Sequence, residues 1–220
     1  ILSEDGDTAL MLCDSIITNK PIHTGSSSTY AYGSLRIWLN DNFYQTAFNG
    51  PQKHLINVSL IDETYNMNDK IFILTLEDVT NTAYGFASSA TTNDSARLMV
   101  VSDYARATGT QMWSTSYGYW WLNTTHPSES SSYFCAYLAG KNGVANNYNV
   151  NGECYGVVPA LQIRLNDSEY PVDDTGLAYK VNEDGTSCTI TGVGSCTETE
   201  IVIPDEIDGK KVTGIGENAF

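Results

Sequence analysis

The sequence predicts an α+β fold, in which a β-rich domain with a few short helices precedes a smaller unit of short strands. The first observation is a group of apolar, aromatic strands at residues 119–122, 133–139 and 156–161, separated by the polar loop 123–132 and then by glycine-containing turns. The second observation is that apolar residues recur at the spacing of a helix only within short segments. The third is a series of short strands after residue 177 at nearly regular spacing.

The first half of the chain is predicted to hold a hairpin and three short helical pieces. A β-hairpin is expected at residues 1–13, with an Asp/Gly turn. Ser34 is the predicted N-cap of a helix over residues 34–40. A second helix is expected over residues 41–48, and Pro51 marks the first position of another turn of helix.

The middle of the chain is predicted to hold one buried strand and two brief helices. Residues 69–75 form a short apolar run that suits a buried strand, and residues 77–79 follow as a small helix with acids in its first turn. Residues 102–109 carry an N-cap serine at one end and a C′ glycine at the other, which predicts a brief helix.

A change of composition at residues 166–176, where Asp, Ser and Pro dominate, predicts a linker between residues 1–165 and 177–220. Four short strands follow the linker about eleven residues apart, which indicates a solenoid. They are expected at residues 177–181, 188–192, 201–204 and 211–215. Because a solenoid usually needs about three stacked repeats, we expect that the protein continues beyond Phe220 or that this unit packs on the first domain.

The negative net charge argues against two classes of binding partner. The chain has 11 basic and 26 acidic residues, a formal net charge of −15. Nucleic acid and anionic membrane are not expected as partners, because both require a basic patch. No apolar run reaches about 18 residues, so no membrane insertion is expected. The start at Ile1 without methionine indicates a processed or trimmed product.

The five cysteines lack the Cys-x-x-Cys spacing of a zinc site. Cys135 and Cys154 flank one predicted turn system, and Cys188 and Cys196 lie on either side of a glycine. Each pair is interpreted either as a disulfide or as two buried free thiols, and the sequence leaves both alternatives open.

A cluster of aromatic residues is the strongest candidate for a binding site. The candidate ligand contacts are Trp113, Tyr117, Tyr119, Asn123 and His126. They lie in or beside the loops 110–118 and 123–132, where exposed rings with polar neighbours would suit stacking on sugar rings or an interface anchor. The alternative is that Trp120 and Leu122 face the core and the neighbouring rings merely cover it.

Catalytic and metal sites have weaker support. The three histidines are far apart in sequence, and none lies in a recognisable catalytic motif, so no catalytic residue is assigned. No cofactor is expected, and calcium is the only metal considered. Its candidate ligands are Asp62, Asn66, Asn68 and Asp69. Arg36 and Trp38 are expected to hold the fold, with Arg36 reaching a backbone or carboxylate group.

The C-terminal unit resembles BspA-type leucine-rich repeats. The residues that carry this resemblance are Ile201-Val202-Ile203-Pro204, Asp208-Gly209-Lys210-Lys211-Val212 and Ile215-Gly216-Glu217-Asn218-Ala219-Phe220. The resemblance implies a partial repeat array over residues 177–220.

Residues 1–165 resemble a bacterial domain-of-unknown-function family. The matching segments are 34–40, 47–48, 69–75, 104–105, 120–125 and 156–161. That family looks related to C-type-lectin-like folds of the formylglycine-generating-enzyme kind. Asn123 and Val158 stand where the family usually carries Arg, so a feature that depends on those arginines would be missing here. Both resemblances imply a secreted or cell-surface bacterial protein.

Three functional hypotheses follow from these observations. The leading one is a non-enzymatic extracellular binding or adhesion protein that recognises a glycan or an extracellular protein. The second is an enzyme built on a formylglycine-generating-enzyme-like fold, which would require a pocket where Cys, His or two acids converge. The third is a structural domain that displays the repeat array on the cell surface.

Overall fold

The computed structural model describes residues 1–24, 30–62, 67–125, 135–139, 143, 145–149, 152–165, 176–194, 196 and 200–220. Over these residues the chain is mostly β-sheet with a few short helices, which confirms the predicted α+β class. The greater part of the predicted linker, residues 166–175, lies outside the described residues.

The helices are short and belong to the first domain. They are α1 (Ser34–Trp38), α2 (Tyr44–Ala47), α3 (Gly50–Leu55) and α4 (Asp103–Ala107), with a π-helical turn at Leu39–Phe43 and 3-10 turns at Tyr30–Tyr32, Asp78–Thr80, Thr82–Tyr84 and Ser95–Arg97. The capping signals predicted α3 and α4 correctly. Asn49 and Gln52 form a capping box at α3, and the Ser102 side chain accepts the backbone N–H of Ala105 at α4.

The cap of α1 was predicted one residue too late. Gly33 is the N-cap, and the Ser34 hydroxyl donates instead to the carbonyl of Ile22, at 3.5 Å. A Cβ atom on residue 33 would lie 2.6 Å from that same Ile22 oxygen. The close approach of two backbone segments therefore decides which residue precedes the helix.

The described strands form five sheets. In chain order they are β1 (Ser3–Asp5), β2 (Thr8–Leu12), β3 (Ser15–Ile16), β4 (Thr18–Asn19), β5 (Ser59–Asp62), β6 (Met67–Asp69), β7 (Met99–Val101), β8 (Tyr117–Gly118), β9 (Trp120–Thr125), β10 (Cys135–Ala139), β11 (Ala145–Asn149), β12 (Gly156–Val157), β13 (Ala160–Arg164), β14 (Ala178–Val181), β15 (Ser187–Gly192), β16 (Glu206–Ile207) and β17 (Lys210–Ile215). The sheet orders are β1-β2-β13, β11-β10-β9-β12-β4, β3-β7-β8, β5-β6 and β14-β15-β17-β16.

Strand β9 is the centre of the first domain. Trp120, Trp121 and Leu122 are fully buried, and successive side chains enter two different hydrophobic clusters on the two faces of the sheet. Each indole N–H is satisfied: that of Trp120 donates to the carbonyl of Arg97 at 3.0 Å, and that of Trp121 donates to the carbonyl of Lys20 at 2.8 Å. The alternative interpretation that Trp120 and Leu122 face the core agrees with this burial, but Trp121, which that interpretation only places over the core, is fully buried as well.

Two predicted strands are not regular strands. The run 69–75 leaves the ladder after Asp69, because the backbone N–H groups of Lys70 and Ile71 donate to the side chain of Asn40 instead of to a neighbouring strand. Beyond this point the only described bridge of the run joins Phe72 to Ala160. Residues 201–204 likewise lack ladder pairing within the described part of the chain.

The C-terminal unit has a small hydrophobic cluster of its own. Its strands β15 and β17 pair in parallel, and β14 pairs antiparallel with β15. The buried members of the cluster are Leu177, Tyr179, Cys188, Ile190 and Ile207. No helix among the described residues is long and apolar enough to cross a membrane.

The cysteines that the structure describes are free thiols, namely Cys13, Cys154, Cys188 and Cys196. The side chain of Cys135 lies outside what is described. Cys188 is completely buried, and this desolvation raises the pKa of its thiol. Cys154 is half-buried, with its sulfur 3.3 Å from the Gln111 side-chain oxygen.

We therefore expect iodoacetamide to label Cys154 well before Cys188 in the native protein, because alkylation requires an accessible thiolate. Peptide mass spectrometry after timed labelling would measure the two rates. In unfolded protein without reductant, both residues should label fully. A linked peptide that contains Cys188 and Cys196 would contradict the free-thiol assignment.

Candidate functional site

The turn between Met112 and Gly118 carries two of the predicted ligand residues, Trp113 and Tyr117. A backbone bridge joins Met112 to Gly118, and the Trp113 N–H donates to the Tyr117 carbonyl at 3.1 Å. The hydroxyl of Ser114 accepts the Tyr117 N–H at 2.9 Å. The conformation of the turn is therefore fixed by its own hydrogen bonds.

Helix α4 supports this turn from one side. The Arg106 guanidinium donates to the carbonyl of Thr115 at the tip of the turn, at 3.0 Å. The backbone of the turn also continues the sheet β3-β7-β8, since the Val101 N–H donates to the Ser116 carbonyl at 2.9 Å. The second contact attaches the turn to a buried residue, because Val101 is 2% exposed.

The rings of Trp113 and Tyr117 stack, with centroids 5.7 Å apart and an interplanar angle of 16°. Tyr117 pairs across the strands with Val100, whereas the next pair joins Met99 to Gly118. Met99 is buried and Val100 is 46% exposed. Because side chains alternate along a strand, Tyr117 and Val100 lie on the outer face of the sheet, and the ring stack covers part of that face.

The indole nitrogen of Trp113 is shielded from solvent and has no hydrogen-bond partner among the described residues. An unsatisfied buried donor costs about 1–3 kcal/mol. The other two indoles of this region, on Trp120 and Trp121, both have carbonyl acceptors. Trp113 thus differs from the core tryptophans in carrying an unused donor.

Two of the remaining predicted contacts, Tyr119 and Asn123, have other neighbours. Tyr119 packs edge-on against Tyr155, at 6.2 Å between ring centroids and 72°, beside the buried Trp121. Asn123 lies three residues beyond Trp120 on β9, about 10 Å along the strand, and its N–H donates to the Leu74 carbonyl at 2.7 Å. His126 lies outside the described residues. The structure therefore brings together Trp113 and Tyr117, but not the whole predicted set.

Arg36 and Asp69 form a bidentate ion pair below the surface. The Arg36 Nε and Nη2 donate to the Asp69 carboxylate at 2.7–2.9 Å, and Nη1 donates to the Ala31 carbonyl at 2.8 Å. Asp69 is 3% exposed, and its hydrogen bonds raise the pKa of Arg36. This confirms that Arg36 holds the fold through a carboxylate and a backbone group. The guanidinium also opposes calcium at Asp69, one of the proposed ligands.

Asn40 completes this connection. Its Nδ2 donates to the Ile71 carbonyl at 2.8 Å, and its Oδ1 accepts the Lys70 N–H at 2.9 Å. One helical segment and one apolar segment, about thirty residues apart in the sequence, are thereby held together by the polar side chains Arg36 and Asn40.

A comparison with known protein families identifies the family of residues 6–165. Residues 6–165 match the family model described as a domain of unknown function (DUF6273). The chain belongs to this family. No curated protein and no solved structure matches the chain.

The DUF6273 domain contains a buried arginine that the sequence did not reveal. Arg97 is fully buried, with the Asp94 carboxylate 3.3 Å from its Nε. Its guanidinium donates to the backbone carbonyls of Val79, Ala87, Ser89, Ala90, Thr92 and Gly143. Desolvation lowers the pKa of Arg97. These acceptors are backbone atoms of several loops, so no side-chain motif could have predicted them.

Gly143 belongs to the same arrangement in the DUF6273 domain. It has a φ of 72° and lies against the backbone of Asp94, where a Cβ atom would be 1.8 Å from the Asp94 oxygen. Only glycine fits this position. Arg97 therefore joins the loop 79–94 to the segment at Gly143. The carbonyl of Arg97 also accepts the indole N–H of Trp120 and so helps to hold that ring in place.

Within the described residues, no group of three or more His, Cys, Asp or Glu side chains is placed to hold a metal ion. Of the calcium candidates, Asn66 and the side chain of Asp62 lie outside what is described. The side chain of His54 is also outside it.

Proposed function

We propose that this DUF6273 protein is a secreted or cell-surface binding or adhesion protein with a C-type-lectin-like domain. The Trp113–Tyr117 turn is the proposed ligand contact, and a glycan or an extracellular protein is the proposed ligand. The observation that carries the proposal is a parallel pair of half-buried aromatic rings on a turn fixed by hydrogen bonds.

The rigidity of the turn supports this role. A ligand that binds preformed rings does not have to order them first, so more of the stacking energy appears as affinity. Aromatic side chains of this kind are frequent anchors of binding sites, because they offer a large apolar surface with few rotatable bonds. The neighbouring Val100 extends the apolar surface beside the rings.

The unused indole donor of Trp113 adds a polar element. Nε1 is shielded from solvent, so a hydroxyl or carbonyl group of the ligand would reach this donor after a rotation of the Trp113 side chain, and would then supply the acceptor that the described residues do not provide. Rings for stacking together with a directed donor form the combination that sugar recognition requires. The net charge of −15 favours neutral over strongly acidic glycans.

The proposal predicts selective binding on a glycan and mucin array, and a loss of roughly tenfold or more when Tyr117→Ala removes one ring of the stack. Trp113→Phe should retain the fold and part of the stacking, but lose affinity for ligands that use the indole N–H. The matched control is Tyr104→Ala, because Tyr104 is a 67% exposed aromatic residue on α4.

Near-UV circular dichroism of each variant would separate lost binding from lost folding. If the wild-type chain binds no glycan on the array, the glycan form of the proposal fails. If Tyr104→Ala weakens binding as much as Tyr117→Ala while both variants stay folded, the assignment to this turn fails. A purely structural display domain predicts a blank array with every variant.

A further inference from the structure

A second surface of the domain, separate from the aromatic turn, has the features of a peptide-binding groove. A groove of about 550 Å³ lies over the sheet β1-β2-β13. Ser3, Leu10 and Gln162 form one cross-strand row of that sheet and line the groove. Strand β5 and the segment 72–78 contribute most of the remaining lining, which is completed by Asp5, Val58 and Tyr84.

The groove exists because β5 turns away from β13. Just before β5, the Asn57 N–H donates to the Gln162 carbonyl at 2.8 Å, and Ile56 forms a bridge with Ile163. From Ser59 onwards the chain pairs with β6 instead. The Ser59 hydroxyl still donates to the Gln162 side-chain oxygen at 3.4 Å, and both residues line the groove.

One edge of β5 is therefore available for pairing. Strand β6 pairs with one edge of β5. Ser59, Leu60 and Ile61 of β5 line the groove. Asn68 and Asp69 of β6 do not line it, so the groove lies on the other side of β5. Among the described residues, no backbone hydrogen bond closes the groove-facing edge of β5. An open strand edge is a template for an additional strand.

The charged residues that line the groove are acidic and favour a positively charged ligand. Asp5, Glu77 and Asp78 line the groove, and none of the described lining residues is a Lys or Arg. Asp5 and Glu77 are exposed, whereas the Asp78 carboxylate accepts the Thr75 N–H and hydroxyl. The exposed Leu60, at 54%, adds an apolar contact at the rim.

We propose that this groove binds an extended, basic peptide segment, which adds a strand to the free edge of β5. Main-chain hydrogen bonds to β5 would hold the segment, its basic side chains would face Asp5 and Glu77, and an apolar side chain would cover Leu60. The inference does not depend on the proposed glycan site, because the two surfaces share no residue.

Three capped peptides of equal length test the inference on the complete chain by isothermal titration calorimetry at low salt. The first alternates lysine and valine, the second alternates glutamate and valine, and the third is the lysine peptide with every backbone nitrogen methylated. We expect the lysine peptide to bind, the glutamate peptide not to bind, and the methylated peptide to bind at least about tenfold more weakly, because it lacks strand donors.

Neutral variants of the protein supply the matched controls. Asp5→Asn combined with Glu77→Gln should weaken the lysine peptide about fivefold, whereas Glu183→Gln combined with Glu217→Gln, which removes two exposed acids of the C-terminal unit, should leave it unchanged. Equal binding of the methylated and unmethylated peptides would reduce the interaction to nonspecific charge attraction and overturn the proposal. Binding of neither lysine peptide would overturn it as well.

Discussion

Replacing Arg97 by methionine is expected to lower the free energy of unfolding by about 3–5 kcal/mol. Methionine keeps most of the apolar volume but leaves six backbone carbonyls and the Asp94 carboxylate without their buried donor. Each unsatisfied buried acceptor carries its own desolvation cost. Urea unfolding followed by tryptophan fluorescence would measure the difference.

Arg106 provides the matched control for this prediction. It is an exposed arginine with one hydrogen bond, to the carbonyl of Thr115. Arg106→Met should therefore change the unfolding free energy by less than about 1 kcal/mol. Equal effects of the two substitutions would show that the carbonyl contacts of Arg97 do not stabilise the domain.

The second large effect is expected at the Arg36–Asp69 ion pair. Arg36→Met leaves the Asp69 carboxylate, which is 3% exposed, without its bidentate partner. Asp69→Leu leaves the guanidinium with only the Ala31 carbonyl. Each single substitution should destabilise the domain by about 3–5 kcal/mol, because each leaves a charge without its partner.

The double variant distinguishes the ion pair from general packing. Arg36→Met together with Asp69→Leu removes both charges, so it should be more stable than either single variant. Lys53→Met is the control, since the Lys53 ammonium is hydrogen bonded only to the exposed Gln45 and should matter little. A double variant as unstable as the sum of the singles would contradict the pairing.

The sequence predicted the parts of the fold that depend on local chemistry. Ser102 was predicted as an N-cap and is the N-cap of α4, and Pro51 was predicted at the first position of a helix and lies at the second position of α3. The apolar strand at residues 119–122 was also predicted, but the burial of Trp121 on its second face was not. These features depend on a few neighbouring residues each.

The sequence could not predict features that depend on contacts between distant backbone segments. Gly33 caps α1 because the Ile22 carbonyl leaves no room for a side chain, and Asn40 ends the predicted strand at Asp69 by taking its backbone donors. The carbonyl acceptors of Arg97 have no side-chain signature at all.

The candidate site was predicted only in part for the same reason. Trp113 and Tyr117 are four residues apart, so a single turn can bring their rings together. Asn123 was grouped with them by its position in the chain, and since it lies on β9, its part in the site stays a prediction. The groove beside β5 was not predicted, because it depends on where β5 leaves β13.

The indole region of a ¹H–¹⁵N correlation spectrum tests the central claim most directly. The chain has 4 tryptophans, so 4 indole N–H signals are expected. When released mucin glycans are added, only the Trp113 signal should shift, since Trp120 and Trp121 donate to buried carbonyls and Trp38 packs against the core. A spectrum in which the glycans bind but the Trp113 signal does not move would contradict the account.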